Sequence, residues 1–117
     1  MHGQAEIFVD PYHYIAKDER TLGIVGLHLD YLAVMTYDEH YSSSPVAGSV
    51  ASLPWVEGAV KDILKDVPAS KLLLGVPLYT RIWTVDSAGK IMSNPAAKMP
   101  EIRDLLGSKG LTPVWLD

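Results

Sequence analysis

Residues 31–37 read YLAVMTY and residues 71–79 read KLLLGVPLY. Both are short, continuous runs of apolar, aromatic and β-branched residues, and the first is bounded by Asp30 and Asp38. A run that is apolar throughout, rather than alternating, predicts a strand buried on both faces, the pattern of parallel sheets covered by helices. Between the two runs, Ser52 can cap a helix that carries Pro54 in its first turn. Val56, Ala59, Val60, Ile63, Leu64 and Val67 then form one apolar stripe opposite Glu57, Lys61, Asp62, Lys65 and Asp66. Pro68 stops that helix. Strand, helix and strand in this order predict a right-handed βαβ unit with parallel strands.

Outward from this unit the signals weaken. Glu6–Asp10 carries Ile7, Phe8 and Val9 before Pro11 and reads as a further strand. Asp18–Asp30 places Leu22, Val25 and Leu29 at helical spacing behind Asp18 and Glu19, with Gly23 and Gly26 against it. Asp38–Ser52 and Thr80–Lys98, rich in serine, glycine, proline and turn-forming polar residues, read as two long loops. Met99–Gly107, with Ile102, Leu105 and Leu106 on one face, reads as a short helix ending at Gly107 or Gly110. Leu111–Asp117 reads as the start of another strand that simply stops, so residues 1–117 are expected to be a single fragment of a larger domain.

Composition bounds the function. The chain has 117 residues, 48% of them apolar and 21% charged, with net charge −4 and no cysteine. Such a chain removes roughly two thirds of its unfolded surface on folding, enough for one core. A complete (β/α)8 barrel needs at least ~200 residues, so a barrel motif here sits on a piece of one. The ten basic residues are scattered, which argues against a nucleic-acid partner. No apolar run is long enough to predict a membrane span, and the opening MHGQAE has neither the basic region nor the apolar core of a secretion signal. Thiolate metal sites and cysteine nucleophiles are absent. The neighbours Glu39 and His40 invite a metal reading, but lack HxH or HExxH spacing. Neither a metal nor a cofactor is expected.

In parallel α/β folds reactive groups collect at the carboxyl ends of the strands. Here those ends read Met35, Thr36, Tyr37, Asp38, Glu39, His40 and Tyr79, Thr80, Arg81, Ile82, Trp83. Strand periodicity puts Met35 with Tyr37, and Tyr79 with Arg81 and Trp83, on common faces. An apolar floor bearing a phenol, a carboxylate, a guanidinium and an indole suits a sugar, whose C–H faces stack on rings while its hydroxyls bind charged groups. Each residue has a plainer reading as well. Tyr37–Asp38 as a dipeptide is a rim aromatic and a turn cap, Arg81 can pair with a carboxylate, and Trp83 can anchor a loop. Trp55 and Trp115 read as packing residues.

The stretches YLAVMTYDEHY, SLPWVEGAVKDIL and VPASKLLLGVPLYTRIWT resemble, in order and spacing, the sixth strand, sixth helix and seventh strand of glycoside hydrolase family 18, the chitinase-like enzymes. The likeness runs over about residues 18–84 and is nearest to the bacterial cell-wall and spore-associated branch. It implies an α/β fold, a partial (β/α)8 TIM barrel covering about strands five to seven. It further implies that Tyr37 and Asp38 hold the 2-acetamido group of the sugar at the scissile bond, that Met35 lines that pocket, and that Tyr79 and Arg81 face the cleft. Trp83 joins them as a sugar-stacking candidate. Thr80 stands where many members have glycine. The general acid of the family lies in a DxxDxDxE motif that none of the fourteen acidic residues here reproduces. The implied partner is an N-acetylglucosamine-containing polysaccharide. The implied parent is exported, at the cell surface or on a spore, with a non-catalytic, lectin-like relative as the alternative. The isolated fragment is expected to be inactive, and to self-associate through its open strand edges.

Overall fold

The computed structural model describes residues 6–9 and 30–114. The sequence-predicted helix over 18–30 lies outside them apart from Asp30, as does Trp115. The described chain separates into two units. One holds the chain through Glu39 together with Ala51–Pro77, and the other holds His40–Val50 and the chain from Leu78 on.

The first unit is the βαβ arrangement. Strands β1 (Glu6–Val9), β2 (Tyr31–Met35) and β3 (Leu72–Gly75) form one sheet in the order β1-β2-β3. Both pairings are parallel, with Ile7 opposite Leu32 and Leu32 opposite Leu72. Helix α1 (Leu53–Ile63) joins β2 to β3. Leu32, Ala33 and Val34 are all buried, as expected for a central strand covered on both faces. Leu32 and Val34, two residues apart and so on one face, meet Ile63 and Val67 from the helix and the turn after it, with Leu72 alongside. This is the core of the unit.

Four expectations need correcting here. The helix ends at Ile63 rather than reaching Val67, because residues 64–66 tighten into turns in which the Lys65 and Asp66 N–H groups donate to the carbonyls of Asp62 and Ile63, three residues back; Val67 still packs in the core. Strand β2 stops at Met35 rather than Tyr37. The second apolar run divides: β3 stops at Gly75, opposite Met35, since its ladder ends with that of its neighbour and Pro77 has no N–H to continue it. Leu73 and Leu74 are exposed, not buried, because β3 has no described strand on its far side.

The second unit differs most from expectation. Thr80–Lys98 is not a loop but mostly short strands. Tyr79–Arg81 (β4) pairs antiparallel with Ala96–Lys98 (β7), and Thr84–Val85 (β5) pairs antiparallel with Ile91–Ser93 (β6). Tyr79 therefore belongs to β4 and does not end a parallel strand. The β5–β6 turn is closed by Asp86, whose carboxylate accepts from the backbone N–H groups of Ala88 (2.9 Å) and Lys90 (2.8 Å). Helix α2 (Met99–Lys109) follows, with Glu101 accepting from the N–H of Lys98 at its start and Gly110 left-handed (φ 61°) at its end. Residues 111–114 are irregular, so the strand expected from Leu111 does not form over them. Among the described residues no helix is long and apolar enough to cross a membrane.

Candidate functional site

Because β2 and β3 are parallel, their carboxyl ends lie side by side, Met35 opposite Gly75. Chain emerging from β2 there carries Thr36, Tyr37, Asp38 and Glu39. Thr36 is buried to 1% and donates its hydroxyl to the Gly75 carbonyl at 2.7 Å. Tyr37, half-buried, sits against the same residue: a Cβ added to Gly75 would stand 3.6 Å from the Tyr37 ring and 3.0 Å from the Val34 carbonyl. The tight neighbour is the Val34 backbone carbonyl, while the phenol lies at ordinary contact distance. Asp38 is exposed and takes a left-handed backbone, φ 67°. That region is uncommon outside glycine and most open to Asn and Asp, which places a kink where the strand gives way to loop. Glu39 then accepts from the backbone N–H of Ser52 (2.6 Å) and from its hydroxyl (3.0 Å).

Met35, Tyr37 and Asp38 thus fall together in the first unit; Tyr79, Arg81 and Trp83 fall in the second. Tyr79 and Arg81 share a face of β4 two residues apart. Arg81 donates through one terminal nitrogen to the carbonyl of Asn94 (2.7 Å), while its Nε is buried without a hydrogen-bond partner. The Asn94 side chain in turn donates to the Ser42 carbonyl (2.9 Å). Trp83 donates its indole N–H to the Gly48 carbonyl at 2.9 Å, which is the loop-anchoring contact. A Cβ on Gly48 would fall inside the His40 imidazole, whose Nδ1 donates to the Ser49 carbonyl (2.8 Å). Within the expected Asp38–Ser52 loop, residues 40–50 are therefore laced down by side chains from residues 40, 44, 83 and 94, with the Tyr41 N–H donating to Ser44 Oγ as well (2.8 Å).

Glu39 and His40, weighed above as metal ligands, are each engaged in bracing contacts. Among the described residues no group of three or more His, Cys, Asp or Glu could hold a metal ion. Sequence reasoning missed the bracing contacts of Thr36, Glu39, Gly75 and Asn94. Their partners lie 39 residues away for Thr36, 13 for Glu39 and 52 for Asn94, and no local spacing encodes such pairs.

Comparison with known proteins agrees with the arrangement. The family profile described as Glycosyl hydrolases family 18 matches residues 10–117. The chain is 39% identical over 92 residues, 78% of its length, to the uncharacterized glycosylase YvbX of Bacillus subtilis, and covers 25% of that protein. It is 32% identical over 63 residues, 54% of its length, to YdhD of Bacillus subtilis, a provisionally named sporulation-specific glycosylase of which it covers 15%. A solved structure, the C-terminal domain of a provisionally assigned chitinase from Desulfitobacterium hafniense, superposes with a TM-score of 0.73 at 31% identity, covering 96% of this chain and 34% of that one. The chain thus spans a quarter or less of the curated relatives it matches. With parallel strands, a side-by-side pair of strand ends and a profile match over nearly its whole length, the chain belongs to glycosyl hydrolases family 18.

Proposed function

We propose that the chain is a fragment of a (β/α)8 barrel, about its strands five to seven, that carries the acetamido-binding side of a cleft for β-1,4-linked N-acetylglucosamine polymers, chitin or peptidoglycan. The observation that carries this reading is the placement of Tyr37 and Asp38 just beyond the carboxyl end of β2, with the phenol against Gly75 and the aspartate on a left-handed backbone. Residues held in sparsely populated backbone regions cluster at active sites and ligand clamps.

The reaction is retaining hydrolysis with substrate assistance, an exception to the two-carboxylate scheme. The acetamido carbonyl oxygen attacks the anomeric carbon. Tyr37 donates its hydroxyl to orient that group, and Asp38 stabilises the charge that develops on it. Met35 lines the apolar side of the pocket; Tyr79, Arg81 and Trp83 are the further sugar-binding candidates. The leaving oxygen takes its proton from the Glu of a DxxDxDxE motif elsewhere in the parent. The name of the YdhD relative, a sporulation-specific glycosylase, favours a spore setting for that parent.

The test is hydrolysis of a chromogenic N-acetylglucosamine oligomer glycoside by the parent protein, with oligomer binding measured alongside. Turnover that Tyr37→Phe reduces sharply is the expected result. Binding with no turnover would replace hydrolase by lectin-like relative, and neither turnover nor binding would overturn the sugar site.

A further inference from the structure

We propose that Thr36 and Glu39 are positioning residues that clamp Tyr37 and Asp38 from either side; this rests on the reading of that pair as the sugar site. Two fixed points bracket the pair. Before it, Thr36, 1% exposed, donates its hydroxyl to the Gly75 carbonyl at 2.7 Å. Met35 and Gly75 are the last register partners of β2 and β3, so the hydroxyl ties the two strands together just where their ladder ends. After the pair, Glu39 holds Ser52 through both carboxylate oxygens, at 2.6 and 3.0 Å.

The second contact is unusual in what it replaces. Ser52 occupies the N-cap position of α1, where a serine hydroxyl ordinarily accepts from an N–H of the first helical turn. Here it makes no cap hydrogen bond and turns to Glu39 instead. The helix gives up its own cap, and what the contact secures is the loop immediately after Asp38. Only Tyr37 and Asp38 lie between the two anchors, and Asp38 is the one described non-glycine residue with positive φ. A left-handed Asp persists where its surroundings over-determine it. Thr36 and Glu39 supply that constraint, and so set where the phenol and the carboxylate point. Both act through the pair.

Kinetics of Glu39→Ala, Glu39→Gln, Thr36→Val and Thr36→Ser in an intact family 18 barrel carrying this chain test the clamp. Tyr37→Phe serves as reference, and every variant is assayed at a temperature where circular dichroism shows it folded. A gln side chain presents its oxygen to the Ser52 N–H and its amide to the Ser52 hydroxyl, and Ser at 36 keeps the hydroxyl. Glu39→Ala and Thr36→Val are expected to lower kcat by up to about 10²-fold, the cost of a small misplacement, with KM little changed. Glu39→Gln and Thr36→Ser restore most of the loss. In 15N-labelled Glu39→Ala protein the strong intraresidue HN–Hα contact of a left-handed Asp38 should weaken. If the parent binds without turnover, oligomer Kd is read in place of kcat, with the same order of variants. Tyr37→Phe lowering kcat while Glu39→Ala and Thr36→Val leave it and the Asp38 signal intact would overturn the clamp alone. Tyr37→Phe without effect would overturn the sugar site and the clamp with it. Equal damage from the alanine and glutamine variants, matched by equal loss of unfolding temperature, would make Glu39 a residue of the fold only.

Discussion

At the scale of single residues, the proposed site turns on Tyr37 and Asp38: on that reading the phenol donates to the acetamido oxygen and the carboxylate stabilises the positive charge of the oxazolinium that forms. A donor that holds the acetamido oxygen in line for attack acts on the chemical step more than on affinity for the substrate. Tyr37→Phe in the parent should therefore lower kcat more than it raises KM. Asp38→Asn keeps the shape and removes the charge. A loss in kcat of about 10²-fold or more is expected, the range for one oriented electrostatic group, and steady-state kinetics measure both. Tyr37 and Asp38 were legible from sequence as a strand-end pair in a family motif. The residues that brace them were not, since Thr36 meets Gly75 and Glu39 meets Ser52 only after β2, α1 and β3 have come together.

At the scale of elements, α1 holds the first unit together. Ile63 is fully buried against Leu32, Val34 and Val67. Ile63→Ala should cost about 2–5 kcal/mol in urea unfolding, from lost transfer energy and the cavity left behind. Gly58 lies inside the same helix, and a Cβ there meets nothing within 4 Å. Gly58→Ala should stabilise by about 0.5–1 kcal/mol, because the unfolded chain loses freedom while the helix loses no contact. Trp55→Phe should shift the unfolding midpoint and leave kcat nearly unchanged; a turnover loss as large as that of Tyr37→Phe would undo the assignment of the site. The exposed ion pairs Lys61–Glu57 and Lys65–Asp62 on this helix are worth little by comparison.

At the scale of the whole chain, what is missing governs behaviour. No DxxDxDxE motif occurs in the sequence, and a positioned general acid supplies ~10²–10⁴-fold on its own. The isolated 117-residue chain should therefore release no chromophore from an oligomer glycoside above a buffer blank. Strand β3 has no described neighbour beyond it and leaves Leu73, Leu74 and Val76 exposed at 43%, 47% and 66%. An apolar strand with unpaired backbone groups is a template for another chain. Light scattering at high protein concentration should show self-association, and a sharp monomeric peak with cooperative unfolding would refute it.

The sequence by itself determined the parallel βαβ unit, because an apolar run with no polar alternation can be satisfied only by burial on both faces, and an apolar stripe at helical spacing only by packing on that sheet. It determined the start of α1 as well, since Pro54 acts through its own backbone preference, and narrowed the end of α2 to Gly107 or Gly110, between which the structure chose the left-handed Gly110. Only the tertiary structure decided where the strands stop: KLLLGVPLY looks continuous as a string, yet a ladder extends no further than its partner, and β2 ends opposite Gly75. The antiparallel pairs within residues 79–98 were hidden for a related reason. Two- and three-residue strands carry too little periodicity to be seen, and they exist because Tyr79 finds Lys98 and Thr84 finds Ser93 across the chain. The left-handed Asp38 and the contacts around it belong to the same class, fixed by groups distant in sequence whose meeting costs chain entropy that only the assembled core repays.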